Sequence, residues 1–307
     1  MIGQAFAGAR TAGARLGAWW ALVPGNLRGI FWMLLMTVTF LSGQVVVKLL
    51  APGMHPFEIT FFRCFFTFAA SFPFLMRGGV SALRTSYFHM HALRGLFGGL
   101  AMLGVFYGVA NMPLSSVNAI AFTRPLFMIV LAVLFLGEVV QMRRWAATVV
   151  GFIGVLVILR PGSGSFNPAA YAVLGSAMSY ACGHVILKKL TRVESASANI
   201  FFYMGAASLV TLIPALFFWT WPTVEQWVLL GLMGATSAVG QMFLTFAYRA
   251  GDATVVSPFE YSRLLWAGLF DILLFSVWPS VWTIVGGLIV LAASYYIARH
   301  ASGAKKD

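Results

Sequence analysis

Apolar runs long enough to cross a bilayer follow one another along the chain, and one of them carries an arginine at its middle. Between Pro113 and the Gly137-Glu138 pair the only charge is Arg124. A guanidinium at bilayer depth costs at least ~2.5 kcal/mol on insertion scales, so Arg124 must face protein or water rather than lipid. A later run, 253–277, places Arg263 in the matching position. Any fold for this chain has to bury these two cations away from lipid.

The runs, each of about 18–25 residues, have the length of membrane-spanning helices. With 60% hydrophobic and 9% charged residues the 307-residue chain has too little charge for a soluble domain. The reading is an all-α membrane protein with ten transmembrane helices, at 29–50, 57–76, 91–110, 114–136, 145–159, 169–187, 199–219, 227–248, 253–277 and 281–298. The fifth is short, and Arg144 and Arg160 at its ends can snorkel to the interfaces. Residues 1–27 lack the order of a secretory signal and read as a cytoplasmic tail, with Trp19 and Trp20 at headgroup level; 301–307 is a second tail. Cys64 and Cys182 fall inside spans and read as packing residues.

With the N-terminus in the cytoplasm, fifteen of the twenty basic residues lie inside, and only Lys48 and Arg160 outside. That asymmetry is the positive-inside pattern, and it puts both termini in the cytoplasm of a bacterial inner membrane. It also accounts for the net charge of +12 without a nucleic-acid partner.

Shifted by 140 positions the two halves match. Ser42-Gly-Gln-Val-Val-Val-Lys48 meets Cys182-Gly-His-Val-Ile-Leu-Lys188, Phe61-Phe62-Arg63 meets Phe201-Phe202-Tyr203, and Met102 and Phe106 meet Met242 and Phe246; at a shift of 139, Thr123-Arg124 meets Ser262-Arg263. Four matches in order at a nearly constant offset indicate a repeat. The repeats are 28–161 (helices 1–5) and 168–300 (helices 6–10). Five spans each is an odd number, so the second copy runs inverted in the membrane, a common plan of secondary transporters. There is no phosphate-binding loop, no paired His/Cys ligand spacing and no soluble domain, so no metal, no cofactor and no enzyme activity is expected.

Several residues are candidates for the transport site. Arg124 and Arg263 sit about ten residues into equivalent spans, near mid-membrane. They either receive a carboxylate, for which a guanidinium offers a planar fork, or are neutralised internally by Glu260, one turn before Arg263, and Asp271, two turns after it. Arg63, in the second span, has Tyr203 as its counterpart and reads as structural or gating. Gln44 and His184 are a repeat-related polar pair, joined by Gln241, and are either contacts between helices or substrate ligands. His184 is also the intramembrane group suited to carry a proton. Tyr107, Tyr180, Tyr248, Tyr261 and Trp266 are candidates for an aromatic lining or for helix core. Gly95, Gly98, Gly99, Gly104 and Gly108 in the third span permit close helix approach, and Pro258 is a candidate hinge or static bend.

Four motifs carry a family resemblance: His55-Pro-Phe-Glu-Ile-Thr-Phe-Phe-Arg63, His91-Ala-Leu-Arg-Gly95, Pro113-Leu-Ser-Ser with Gly137-Glu138, and Arg144-Trp-Ala-Ala-Thr-Val-Val-Gly-Phe-Ile-Gly154 followed by Arg160-Pro161. Together with Gly251-Asp-Ala-Thr-Val-Val-Ser-Pro-Phe-Glu-Tyr-Ser-Arg-Leu264 they resemble EamA-type carriers of the drug/metabolite transporter superfamily over roughly 28–300. Phe166-Asn-Pro168 and Lys188-Lys189 are similar to the subgroup that includes the S-adenosylmethionine uptake transporters. One departure is that Ser276-Val277 stand where a closing Gly-Glu is usual in the second half. The resemblance implies alternating-access transport of a small polar metabolite, with an amino-acid-like zwitterion, S-adenosylmethionine first, as the expected substrate. The rivals are carriage of another metabolite or drug, such as riboflavin, and a non-transporting membrane partner or lipid scramblase. Expected partners are the small-molecule substrate, the lipid bilayer, a coupling proton or counter-substrate, and a second copy of the chain.

Overall fold

The computed structural model describes residues 23–76, 85–136, 142–160, 167–190, 193–194, 196–251 and 256–301. The tails before residue 23 and after 301, and Gly137-Glu138, lie outside the described residues. Those described are helical, with no strand among them. In chain order the helices are α1 (Gly25–Leu50), α2 (Pro56–Met76), α3 (Phe88–Asn111), α4 (Leu114–Ala121), α5 (Arg124–Leu136), α6 (Met142–Leu159), α7 (Pro168–Leu190), α8 (Ala196–Leu216), α9 (Val224–Ala250), a 3-10 helix (Ser257–Ser262), α10 (Arg263–Phe275) and α11 (Val281–Ala301). In hydrocarbon a backbone must satisfy its own N–H and C=O groups, and a helix does so within one segment.

Six of the described segments are long and apolar enough to cross a membrane: Gly25–Leu50, Phe88–Asn111, Leu114–Leu131, Pro168–Leu187, Ala198–Leu216 and Val224–Leu244. Their outward surfaces stay apolar. Leu209, Ile213, Val228, Leu265 and Leu273 are all more than 60% exposed, which suits contact with lipid chains.

The expected fourth span is two helices rather than one. Pro125 has no N–H to give the carbonyl of Ala121, so α4 closes at Phe122, and Thr123 starts α5 by accepting from Leu126 and Phe127. The ninth span is broken differently, beginning as a tight 3-10 turn before α10. Arg124 and Arg263 are therefore each the first residue of the α-helix that follows a break. Ser276 ends α10 in the left-handed conformation (φ 53), the position where a glycine is usual.

The most extensive helix pairs are α1 with α9, α3 with α7, α6 with α11, and α2 with α8. Exchanging the halves turns the first pair into the second and returns the other two to themselves. The packing thus has the two-fold pattern that the sequence repeat implies. One face of the bundle carries the exposed Arg143, Lys189 and Arg249; the far face carries Lys48 and Arg160. Arg94 is buried in α3, where it donates to the Asn199 carbonyl (3.1 Å) and stacks on Tyr203.

Helix α3 is wedged between α7 and α8, and its glycines make room. A Cβ on Gly104 would stand 2.4 Å from the Ala172 carbonyl oxygen, which is backbone and has little freedom to yield. Gly104→Ala is expected to push α3 from α7 and destabilise the protein by about 1–3 kcal/mol, read as a lower melting temperature in detergent. An unchanged melting temperature would mean that the two helices do not approach so closely.

Candidate functional site

A cavity of about 350 Å3 lies where α4, α5, α7 and the 3-10/α10 segment converge. That is within the range of small-molecule sites. Arg124, Arg263, Glu260, His184 and Tyr261 from the sequence-derived candidates all line it, together with Tyr180, Asn118 and Phe122. Glu260, one of the lining groups, keeps a 40% exposed side chain.

The two arginines are held in equivalent ways. The Arg124 guanidinium carbon lies 4.3 Å from the centre of the Tyr180 ring, and that of Arg263 lies 5.8 Å from the Phe40 ring. Tyr180 and Phe40 are themselves 140 positions apart, so each arginine stacks on an aromatic ring from the opposite half. Cation–π contact of this kind contributes about 0.5–2 kcal/mol and holds a guanidinium without consuming its N–H donors. Arg263 is additionally 3.5 Å from Glu260 Oε1. Among the described residues Arg124 has no carboxylate beside it, and its Nε is buried without a hydrogen-bond partner. The cavity's described charges are thus two guanidiniums against one carboxylate.

Asn118 is a lining residue that the sequence did not single out. Its Nδ2 donates to the Leu114 carbonyl and to Gln44 Oε1, both at 2.8 Å. The backbone carbonyl can only accept, so it fixes which way the amide faces. Both Nδ2 protons are used, and the group left for the cavity is the acceptor Oδ1. Gln44 thereby reaches the site through Asn118. His184 packs its ring on Tyr180, centres 4.1 Å apart, and Tyr261 sets its ring edge against Phe122.

Other candidates lie elsewhere. Tyr107 packs near Phe57 toward the far face, and Trp266 packs against the main apolar core with its indole N–H unpartnered. Asp271 is fully buried, away from the cavity. Its oxygens accept from the N–H groups of Leu114 and Ser115 (2.8 and 2.7 Å) and from the Ser115 hydroxyl, and Lys48 Nζ stands 3.7 Å away. Arg63 donates to Ser237 Oγ beside a separate, smaller cavity. Pro258 falls in the first turn of the 3-10 helix, where a missing N–H leaves no bond broken. The side chains of Gln241, Tyr248 and Pro258 lie outside the described residues.

Comparison with known proteins adds to this geometry. The model of the EamA-like transporter family matches residues 27–160 and 167–299. The chain is 34% identical to an S-adenosylmethionine uptake transporter of Rickettsia prowazekii (88% of this chain, 92% of that one) and 34% identical to a riboflavin transporter of Rhizobium johnstonii (89% and 91%). It is 30% identical to a pseudopaline exporter of Pseudomonas aeruginosa (90% and 97%). A solved crystal structure matches with a TM-score of 0.59 at 19% identity, covering 91% of this chain and 98% of its own, a likeness of fold alone.

Proposed function

The chain belongs to the EamA-like transporter family, a membrane transporter of small metabolites and not an enzyme, and on that footing we propose that it carries a zwitterionic, carboxylate-bearing metabolite by alternating access. S-adenosylmethionine is the first candidate. The observation that carries this reading is Arg124, a mid-span guanidinium that lines the cavity with no carboxylate of its own among the described residues. A substrate carboxylate supplies the missing partner. Glu260 is placed for the substrate's cationic group, Asn118 Oδ1 for an N–H, and Tyr180 and Tyr261 for an adenine ring.

In the membrane, α4 with α5 and the 3-10 helix with α10 each count as one broken span, giving ten spans in two inverted repeats, 28–161 and 168–300. Broken spans with half-helix N-termini at the binding depth are the usual device for holding anionic groups in such carriers. The positive-inside pattern supports the basic face as the cytoplasmic one, in a bacterial inner membrane. At the far face Lys48, Asp271 and the Ser116–Thr283 contact close the path. His184 remains the candidate carrier of a coupling proton.

Riboflavin is the second reading, favoured by the aromatic lining and by the equal identity to a riboflavin transporter. It has no carboxylate for Arg124. The deciding experiment is uptake of labelled S-adenosylmethionine into proteoliposomes, with riboflavin, methionine and an analogue lacking the α-carboxylate as competitors. We expect saturable uptake that methionine inhibits and that riboflavin and the decarboxylated analogue inhibit far less. Saturable riboflavin uptake indifferent to S-adenosylmethionine would replace the first reading with the second. Movement of labelled lipid alone would replace both.

A further inference from the structure

We infer that Arg63 and Ser237 form a binding site for one small anion of the chloride class, distinct from the metabolite cavity. Arg63 lies seven residues into α2, about 10 Å along its axis, where an uncompensated charge is costly. Among the described residues no carboxylate lies within ion-pair distance of it. The described pairs join Lys48 to Asp271, His91 to Glu194 and Arg263 to Glu260. What Arg63 has is the Phe106 ring 5.1 Å away and Ser237 Oγ, which accepts from Nε at 3.3 Å.

A cavity of about 50 Å3 adjoins the guanidinium. It is about a seventh of the volume of the metabolite cavity and roomy enough for a monatomic ion, since a space of about 10–15 Å3 already admits a water molecule. Its polar groups are almost all satisfied internally. The Cys64 thiol donates to Met102 Sδ, and the Thr67 hydroxyl donates to the Arg63 carbonyl. The donors remaining for the cavity are the terminal N–H groups of Arg63 and the hydroxyl proton of Ser237. The rest of the wall is Phe40, Met102 and Met204. Water here finds donors for its oxygen, but for its own protons only thioethers, ring faces and the lone pairs of two hydroxyls that are already engaged with Arg63. An anion needs acceptors for nothing and also neutralises the guanidinium. Phe40 both walls this cavity and lies against Arg263, so it partitions the anion from the metabolite site.

The test is thermal unfolding of the purified full chain in sodium chloride against sodium gluconate at equal ionic strength. A ligand that binds only the folded state raises the melting temperature saturably with its concentration. We expect a chloride-specific rise, shared by bromide, that Arg63→Gln abolishes, Ser237→Ala weakens and Arg124→Gln retains. Equal melting temperatures in chloride and gluconate would mean that the cavity holds water only. A chloride effect that survives Arg63→Gln, or that disappears in Arg124→Gln, would place the anion elsewhere and overturn the assignment. Should Arg63→Gln fail to fold, Ser237→Ala decides: an undiminished chloride effect in that variant sinks the site.

Discussion

Arg124→Ala is expected to abolish metabolite transport while leaving folded protein in the membrane. The guanidinium opens α5 at the cavity wall, 4.3 Å from the Tyr180 ring, and no described carboxylate depends on it for neutralisation. Its removal therefore strands no buried anion of the protein, and the fold loses only a cation–π contact. The substrate loses much more. Truncating one side of a buried charge pair costs about 2–5 kcal/mol, or roughly 30-fold to several thousand-fold in affinity. Arg124→Lys keeps the charge but not the planar fork and should fall between the two. Initial uptake rates across a range of substrate concentrations measure the loss, and size-exclusion and melting profiles check the fold. Transport at the wild-type rate in Arg124→Ala would remove the arginine from the site. Arg263→Ala should do less, because Glu260 already engages that guanidinium and, at 40% exposed, tolerates its absence.

Much of this site could be read in the sequence, because it rests on the repeat. The equivalence of Arg124 and Arg263 follows from an offset of 139, and the structure puts both on one cavity. What the offset does not reveal is the partner. Phe40 is one of 28 phenylalanines, and nothing local marks it as the counterpart of Tyr180. Asn118 escaped for a similar reason: a polar residue four positions into a helix reads as a contact with its own backbone, which it also makes. Periodicity explains the acids. Glu260 precedes Arg263 through a 3-10 turn, whose residues three apart lie one above the other, and it meets the arginine. Asp271 is eight residues after Arg263 in an α-helix. At 100° per residue the two are turned about 80° apart, so Asp271 faces α4 instead. Read from sequence, the fourth span runs unbroken through Pro125; that a new helix begins at Arg124 depends on where Thr123 directs its carbonyl.

Asp271→Ala should be the variant that the fold tolerates least. Helix α4 begins after Pro113, which has no side-chain oxygen with which to cap it. Its first two N–H groups need an acceptor, and the carboxylate that provides one arrives from the other half of the chain. The same carboxylate takes the Ser115 hydroxyl and stands beside Lys48, whose Nζ also donates to the Met112 carbonyl at 3.3 Å. Alanine leaves three buried donors without an acceptor and Lys48 without its counter-charge. Breaking a buried pair in this way costs about 3–5 kcal/mol, a large share of a typical protein's net stability. We expect little folded protein from Asp271→Ala, and from Asp271→Asn a smaller loss, because the amide oxygen still accepts one of the N–H bonds. Combining Asp271→Asn with Lys48→Met should recover part of that loss by removing the stranded ammonium. These yields and melting temperatures separate a cap from a substrate ligand. A ligand's loss empties the cavity and spares the fold, as expected for Arg124; a cap's loss unseats the helix that carries Asn118. Well-folded Asp271→Ala protein that fails only in transport would return Asp271 to the substrate path and leave the start of α4 to be held by something else.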